Sequence, residues 1–332
     1  MHHRETPYHL FLKGLRRILS VNKKEPYSYS RRPGLPSVEE ASRCIYDGLQ
    51  NDKPVMIARL GSTELAAMVN YHGISSDQRC KAWQYIRGKY PQYWWNKKIL
   101  EQMQTYSGFF PPSSDMVEKF CQMMIKDMEE IDILGSWLPE EKVFTQLLAD
   151  KVQVHLFHLE PFWASFSWTE ALAGKRVLVI HPFAKSIIMQ YDKRDLLFPG
   201  RNILPDFELK VIPAVQSLGG NGDGFQDWFA ALDSMKRQID ATKYDICLIG
   251  CGAYGFPLAA HVKRSGKKAV HLGGSLQLLF GIKGKRWSVP GHGSALGLDY
   301  PALFNENWIK PLPEDNRLSN DTMEKVENSC YW

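Results

Sequence analysis

DICLIGCGAYGFPLAAHVKRSGKKAVHLGG, residues 245 to 274, carries the fold reading. An apolar run, Ile246 to Ile249, leads into Gly250, Gly252 and Gly255, spaced G-x-G-x-x-G, and then into a segment of helical character. Strand, glycine turn and helix start form the unit with which a Rossmann-like sheet binds phosphate. The first glycine permits the tight turn, the second brings backbone N–H groups close to a pyrophosphate, and the third allows close helix packing. A dinucleotide is nevertheless disfavoured. It calls for a carboxylate about 20 positions further on, at the end of the next strand, to hold the ribose. Here that strand, AVHLGG, carries His271 instead, and the turn lies late in the chain rather than opening a domain. A nicotinamide, flavin or methyl-donor enzyme loses ground on the same count. The turn remains a nest of N–H groups for a phosphate or sugar hydroxyls, with Ala253 and Tyr254 inside it, or a tight turn that serves packing alone.

Outward from this stretch, KPVMIARLG (53–61), KVQVHLFHL (151–159), KRVLVIHPF (175–183) and FELKVIPAV (207–215) are further β-branched or apolar runs. Helical segments are expected at 62–73, 184–195 and 226–241. Strands alternating with helices predict an α/β fold, a Rossmann-like, doubly wound and mainly parallel sheet. Residues 77–150 read as a helical insertion, with Pro111 and Pro112 ending one helix and Ser113, Ser114 or Asp115 capping the next. Ser37 is placed to cap a helix over VEEASRCIYDGLQ (38–50). The chain is thus divided into a basic N-terminal segment and linker (1–36), one large domain (37–300) and a polar, proline-containing tail (301–332) expected to wrap the surface.

The 332 residues are 44% hydrophobic, enough for a full core. Ten Trp, 14 Tyr and 16 Phe suit a bulky core or a cleft that stacks flat ligands. A net charge of +5 favours small anions or a membrane surface over dedicated nucleic-acid binding. Cysteines 44, 80, 121, 247, 251 and 330 form no C-x-x-C pair, so free thiols and a cytoplasmic location are expected. No apolar run has the length of a membrane span. Residues 8–24 instead place Tyr8, Phe11, Leu12, Leu15, Ile18 and Leu19 at helical spacing, with Lys13, Arg16, Arg17, Lys23 and Lys24 mostly on the other side. Such a helix can lie on the inner face of the cell membrane as a peripheral contact, or dock on its own domain with a solvated basic side.

MIARLGSTELAAM (56–68) repeats the strand–glycine–helix logic. Arg59 ends the strand, Gly61 and Ser62 form the turn, and Glu64 opens the helix. Ligands sit beyond the carboxyl ends of parallel strands, so Arg59 and Glu64 should face the same crevice as the glycine turn. Arg59 can take a phosphate bidentately and Glu64 can hold a metal or a sugar hydroxyl, or the two can form a structural pair. Together the two stretches resemble glycosyltransferases of the GT-D fold, which add sugars to glycoproteins and bacterial surface polysaccharides. RLGSTEL is similar to that family's R-[FY]-G-D-G-E-[LFI] at Arg59, Gly61, Glu64 and Leu65. The 246–274 stretch follows the family's C-terminal pattern at Gly250, Ala253, Leu258, Ala259, Gly266, Ala269 and Gly273.

The resemblance implies a nucleotide-sugar donor and a glycan or lipid-linked acceptor, with no nucleic acid. Related transferases of polysaccharide assembly (pyruvyl or phosphoryl) and a non-catalytic binding or scaffold protein are the alternatives. The family's D-x-E motif holds a divalent metal, manganese or magnesium, against the diphosphate. This chain has Ser62 where the Asp stands, which leaves only Glu64 of the pair and makes cations the expected substitute. Lys185, expected in the first turn of the helix after 175–183, is the foremost of them, with Lys193 and Arg194 beyond it. His181, at the strand end, is a general base or a hydroxyl binder. Gln216 and Asn221 can read sugar hydroxyls from the loop AVQSLGGNGDGF (214–225), where Asp223 can stand in for the missing ligand. Gly273, Gly274, Gln277, Lys283, Lys285, Arg286 and Trp287 crowd the segment after the last strand.

Overall fold

The computed structural model describes residues 6–19, 34–289, 291–319, 322–323 and 331. Most of the expected linker lies outside these residues, as do Lys23, Lys24 and Cys330. Seven strands form one sheet: β1 (Val55–Ala58), β2 (Ile133–Ser136), β3 (Val152–His155), β4 (Arg176–His181), β5 (Glu208–Pro213), β6 (Ile246–Ile249) and β7 (Lys268–His271). All pairings are parallel, in the order β3-β2-β1-β7-β6-β4-β5. The longer helices are α1 (Pro7–Leu19), α2 (Val38–Gln50), α3 (Ser62–Ser75), α4 (Lys81–Ile86), α5 (Lys97–Ser107), α6 (Ser114–Asp127), α7 (Ala184–Tyr191), α8 (Trp228–Asp240) and α9 (Gly255–Arg264). The chain is a Rossmann-like, doubly wound α/β protein.

Alternate residues of each strand feed two cores. Leu178 and Ile180 pack with α3, α6, α8 and α9, whereas Val177 and Val179 pack with α2 and α7. Central strands are therefore buried on both faces, which is why they read as apolar runs rather than as alternating patterns. Local signals set the helix starts. Ser37 accepts the Glu40 N–H while the Glu40 carboxylate accepts the Ser37 N–H at 2.8 Å, a capping box that begins α2 where the sequence places it. Ile45 and Leu49 of α2 are fully buried, each contributing about 1.5–3 kcal/mol of transfer free energy.

One expectation is overturned and another sharpened. Residues 77–150 are not wholly helical, because Ile133–Ser136 forms β2 between β1 and β3. Four residues, Ile-Leu-Gly-Ser, inside a helical neighbourhood carry too short a pattern to separate a buried strand from a helix. The described tail, 301–319, runs over the surface as expected, most of its residues being exposed or half-buried, but it is pinned at buried points. Trp308 is buried and donates its Nε1–H to the Leu197 carbonyl at 3.1 Å, and Asp315 is buried against the start of α7.

Strands β3 and β4 stop by the same device. The His155 Nδ1 accepts the Phe157 N–H at 3.3 Å, and the His181 Nδ1 accepts the Phe183 N–H at 3.0 Å. Each ring turns the backbone out of the sheet, so the apolar run expected through Leu159 leaves the strand at His155. At the other side of the site, β4 leads through α7 to the outer strand β5, while β6 leads through α9 inward to β7. Because α7 and α9 lie on opposite faces, a crevice opens at the carboxyl ends of β4 and β6.

Candidate functional site

A cleft of about 360 Å³ occupies this edge, within the range of small-molecule sites. Arg59, Gly61, Ser62 and Glu64 reach it from β1–α3. His181 comes from β4, Gly250, Gly252 and Tyr254 from the β6 turn, and His271, Gly273 and Gly274 from the end of β7. The two sequence stretches that point to a common site thus share one cavity, although some 190 residues separate them.

The β1 wall is built on a glycine. Gly61 is the N-cap of α3, with no side-chain cap, and the Glu64 carboxylate folds back over it into the space that a Cβ at position 61 would fill. Glu64 therefore brings its charge to the positive end of its own helix while still lining the cleft. The Arg59 guanidinium lies 5.3 Å from the Trp137 ring centroid, and the Trp137 Nε1–H donates to the Leu60 carbonyl at 3.0 Å. The indole thus supports the cation from a position fixed by the backbone of the same turn.

The glycine turn works differently from a dinucleotide fingerprint. A Cβ on Gly250 would lie 2.6 Å from the Gly273 carbonyl oxygen and 2.8 Å from His181 Cδ2, and one on Gly255 would overlap the His271 ring. Two of the three glycines therefore make room for histidines from the flanking strands. Gly252 alone is conformational, at φ +57° with open space around it. Ala253 is buried and does not line the cleft. Tyr254 is stacked on Trp228 at 4.8 Å between centroids, and its hydroxyl shares a 2.8 Å hydrogen bond with Ser217. Tyr254 thus anchors the turn to the core.

The histidines are complementary. Burial lowers the His181 pKa to about 3, and its Nδ1 already accepts a backbone N–H, so the ring is neutral with the proton on Nε2. His181 is a hydrogen-bond donor, and the general-base role allowed by the sequence is withdrawn. Burial and the nearby Arg59 charge likewise lower His271 to about 3, and its Nδ1 lies 3.3 Å from the Ile249 carbonyl. That ring donates through Nδ1 and keeps its lone pair on Nε2.

Lys185 does not join the site. Its side chain is exposed and off the cleft, and the start of α7 is occupied by a carboxylate from the tail. Asp315 accepts the Lys185 N–H at 2.9 Å, the Ser186 N–H at 2.7 Å and the Ser186 hydroxyl at 2.6 Å. The helix terminus that a phosphate would use there is closed by a residue 130 positions away. Arg194 pairs with Asp206 at 2.8 Å. Asp223 is tied to Arg317 at 3.3 Å rather than completing a metal site. Gln216 lines the cleft, but its amide is engaged by the tail, donating to the Asp315 carbonyl and accepting the Arg317 N–H.

Several lining residues were not foreseen. Glu160, just past β3, is buried and accepts from the Tyr300 hydroxyl at 2.6 Å and the Trp163 Nε1–H at 2.8 Å. Burial raises its pKa to about 7, against the opposing hydrogen bonds of Tyr300, Trp163 and Ser275. Its position at the carboxyl end of a parallel strand is the signal that could have found it. Arg286, foreseen with Trp287, lies 4.9 Å from the ring of Tyr331 at the same end of the cleft. Tyr331 packs against Gly274 closely enough to exclude a Cβ there.

The donor set does not suit a divalent cation. Ser62 is a poor ligand, Glu64 is spent on its helix terminus, and no cluster of three or more His, Cys, Asp or Glu suited to a metal occurs among the described residues. Among the same residues no helix is long and apolar enough to cross a membrane, and five cysteines are free. Comparison with protein-family models, with curated proteins and with solved structures finds no match for this chain.

Proposed function

We propose that this chain is a glycosyltransferase of the GT-D type, taking a nucleotide-diphosphate sugar on the cytoplasmic side and passing the sugar to a hydroxyl of a glycan or lipid-linked acceptor. The observation that carries the reading is the meeting of Arg59, the β6 glycine turn and two neutral histidines in one cleft. Arg59 meets the charge that develops on the departing diphosphate. The His181 Nε2–H and backbone N–H groups of the β6 glycine turn, which lines the cleft through Gly250, Gly252 and Tyr254, add donors without adding a titratable charge. Tyr331 offers a face for a base or sugar ring, with Arg286 beside it and the buried Trp287 behind.

In the transfer step the acceptor oxygen bonds to the anomeric carbon as the bond from that carbon to the diphosphate oxygen breaks. The acceptor proton passes to the Glu160 carboxylate, whose pKa near 7 matches that task. No step runs through a metal.

A thermal-shift screen of uridine, guanosine, thymidine and cytidine nucleotide sugars, with and without manganese, tests the reading. A rise in melting temperature with at least one nucleotide-diphosphate sugar, equal in both buffers, is expected. The absence of any shift at millimolar ligand would overturn it.

A further inference from the structure

The helix α1 stands apart from the cleft and is used by nothing described so far. It docks through one side only. Leu12 is buried with Tyr85, Ile86 and Trp94, His9 stacks on Trp94 at 4.1 Å, and Arg16 donates to the Tyr90 carbonyl at 3.1 Å. At 100° per residue, Leu10, Phe11 and Ile18 fall on the opposite side, and they are 59%, 61% and 79% exposed. On α4, against which α1 packs, Trp83 is 58% exposed. A soluble surface seldom clusters large apolar side chains in this way without a partner.

Charge identifies the partner. Residues 1–33 contain eight Lys and Arg against two Asp and Glu, whereas residues 34–332 contain 33 against 34. The whole positive excess of the chain thus belongs to the segment that includes α1, and α1 itself holds no acidic residue. Arg17 borders the apolar side directly and is exposed. A protein partner would need an acidic rim around an apolar groove; a bilayer with anionic headgroups supplies both properties over any area.

We propose that the outward face of α1 is a docking surface for an anionic phospholipid bilayer, with Leu10, Phe11 and Ile18 entering the acyl boundary and Arg17 meeting the headgroups. This surface is independent of the transferase reading, since none of its residues lines the cleft.

Flotation of the full chain with vesicles tests it. At low ionic strength the protein should float with phosphatidylcholine vesicles containing phosphatidylglycerol and stay at the bottom with phosphatidylcholine alone. Ile18→Asp and Phe11→Ser should each weaken binding about tenfold or more, with melting temperatures unchanged because both side chains are exposed. Arg17→Glu, a surface charge change that threatens no packing, should weaken it at least about fivefold. Failure to float with the anionic vesicles, or flotation indifferent to Ile18→Asp, would overturn the proposal. So would a dimer in sedimentation velocity that Ile18→Asp dissociates, because a second copy would then cover the face.

Discussion

The turns after β4 and β6 lie side by side at the same sheet edge, yet they treat their helix termini in opposite ways. At α7 the first N–H groups are capped by Asp315, a buried carboxylate supplied by the tail. At α9 no side chain caps the helix, and the preceding turn is opened by glycines whose missing Cβ atoms leave room for His181 and His271. Both termini carry the same partial positive charge, so sequence type alone does not separate them. What separates them is which one the rest of the chain has already filled. The closed terminus contributes stability; the glycine turn that precedes α9 faces the cleft.

Three substitutions press on this contrast, in order of expected effect. Asp315→Ala removes three hydrogen bonds from a buried carboxylate and leaves the Lys185 and Ser186 N–H groups without their acceptor. A loss of about 3 kcal/mol is expected in urea denaturation, and a loss under about 1 kcal/mol would show that the tail merely rests on α7.

Glu160 is a buried carboxylate held by Tyr300 and Trp163 rather than by a helix terminus. Its native pKa of about 7 lies above the ordinary 4.5, so the native state binds more protons between these values. Stability should therefore decline as pH rises from about 4.5 through about 7, by about 3 kcal/mol, and Glu160→Gln should remove this part of the slope. An unchanged slope in the variant would assign the titration to another group.

Gly255→Ala sets a methyl group against the His271 ring. The expected cost is about 2 kcal/mol by urea denaturation, with the ring displaced from the cleft. A neutral effect would return Gly255 to the ordinary role of helix packing.

Much of the scaffold was legible. The Ser37–Glu40 capping box, the apolar runs of β1 and β4 to β6, and the glycine turn each carry their structural cause within a few residues. The apolar run at β3 was legible as a strand, but its end was not, since His155 breaks it through a ring contact. Strand β2 was hidden because four residues among helices have no distinguishing period. The site was legible where it depends on strand ends: Arg59, Glu64 and His181 arrive from their own turns. It was illegible where distant segments decide. Asp315 excludes Lys185 from 130 positions away, and Glu160 owes its environment to Trp163 and Tyr300, the latter 140 positions on. The third glycine was read as a helix contact because the pattern does not tell that a histidine ring from β7 would occupy the space.

The central claim is that the diphosphate of a nucleotide ligand sits between Arg59 and the β6 turn, not at the start of α7. Titration calorimetry of nucleoside diphosphates against wild type, Arg59→Ala and Lys185→Ala tests it most directly. Arg59→Ala should weaken binding about tenfold or more while Lys185→Ala leaves it unchanged. Equal weakening by Lys185→Ala, or undiminished binding by Arg59→Ala, would contradict the account.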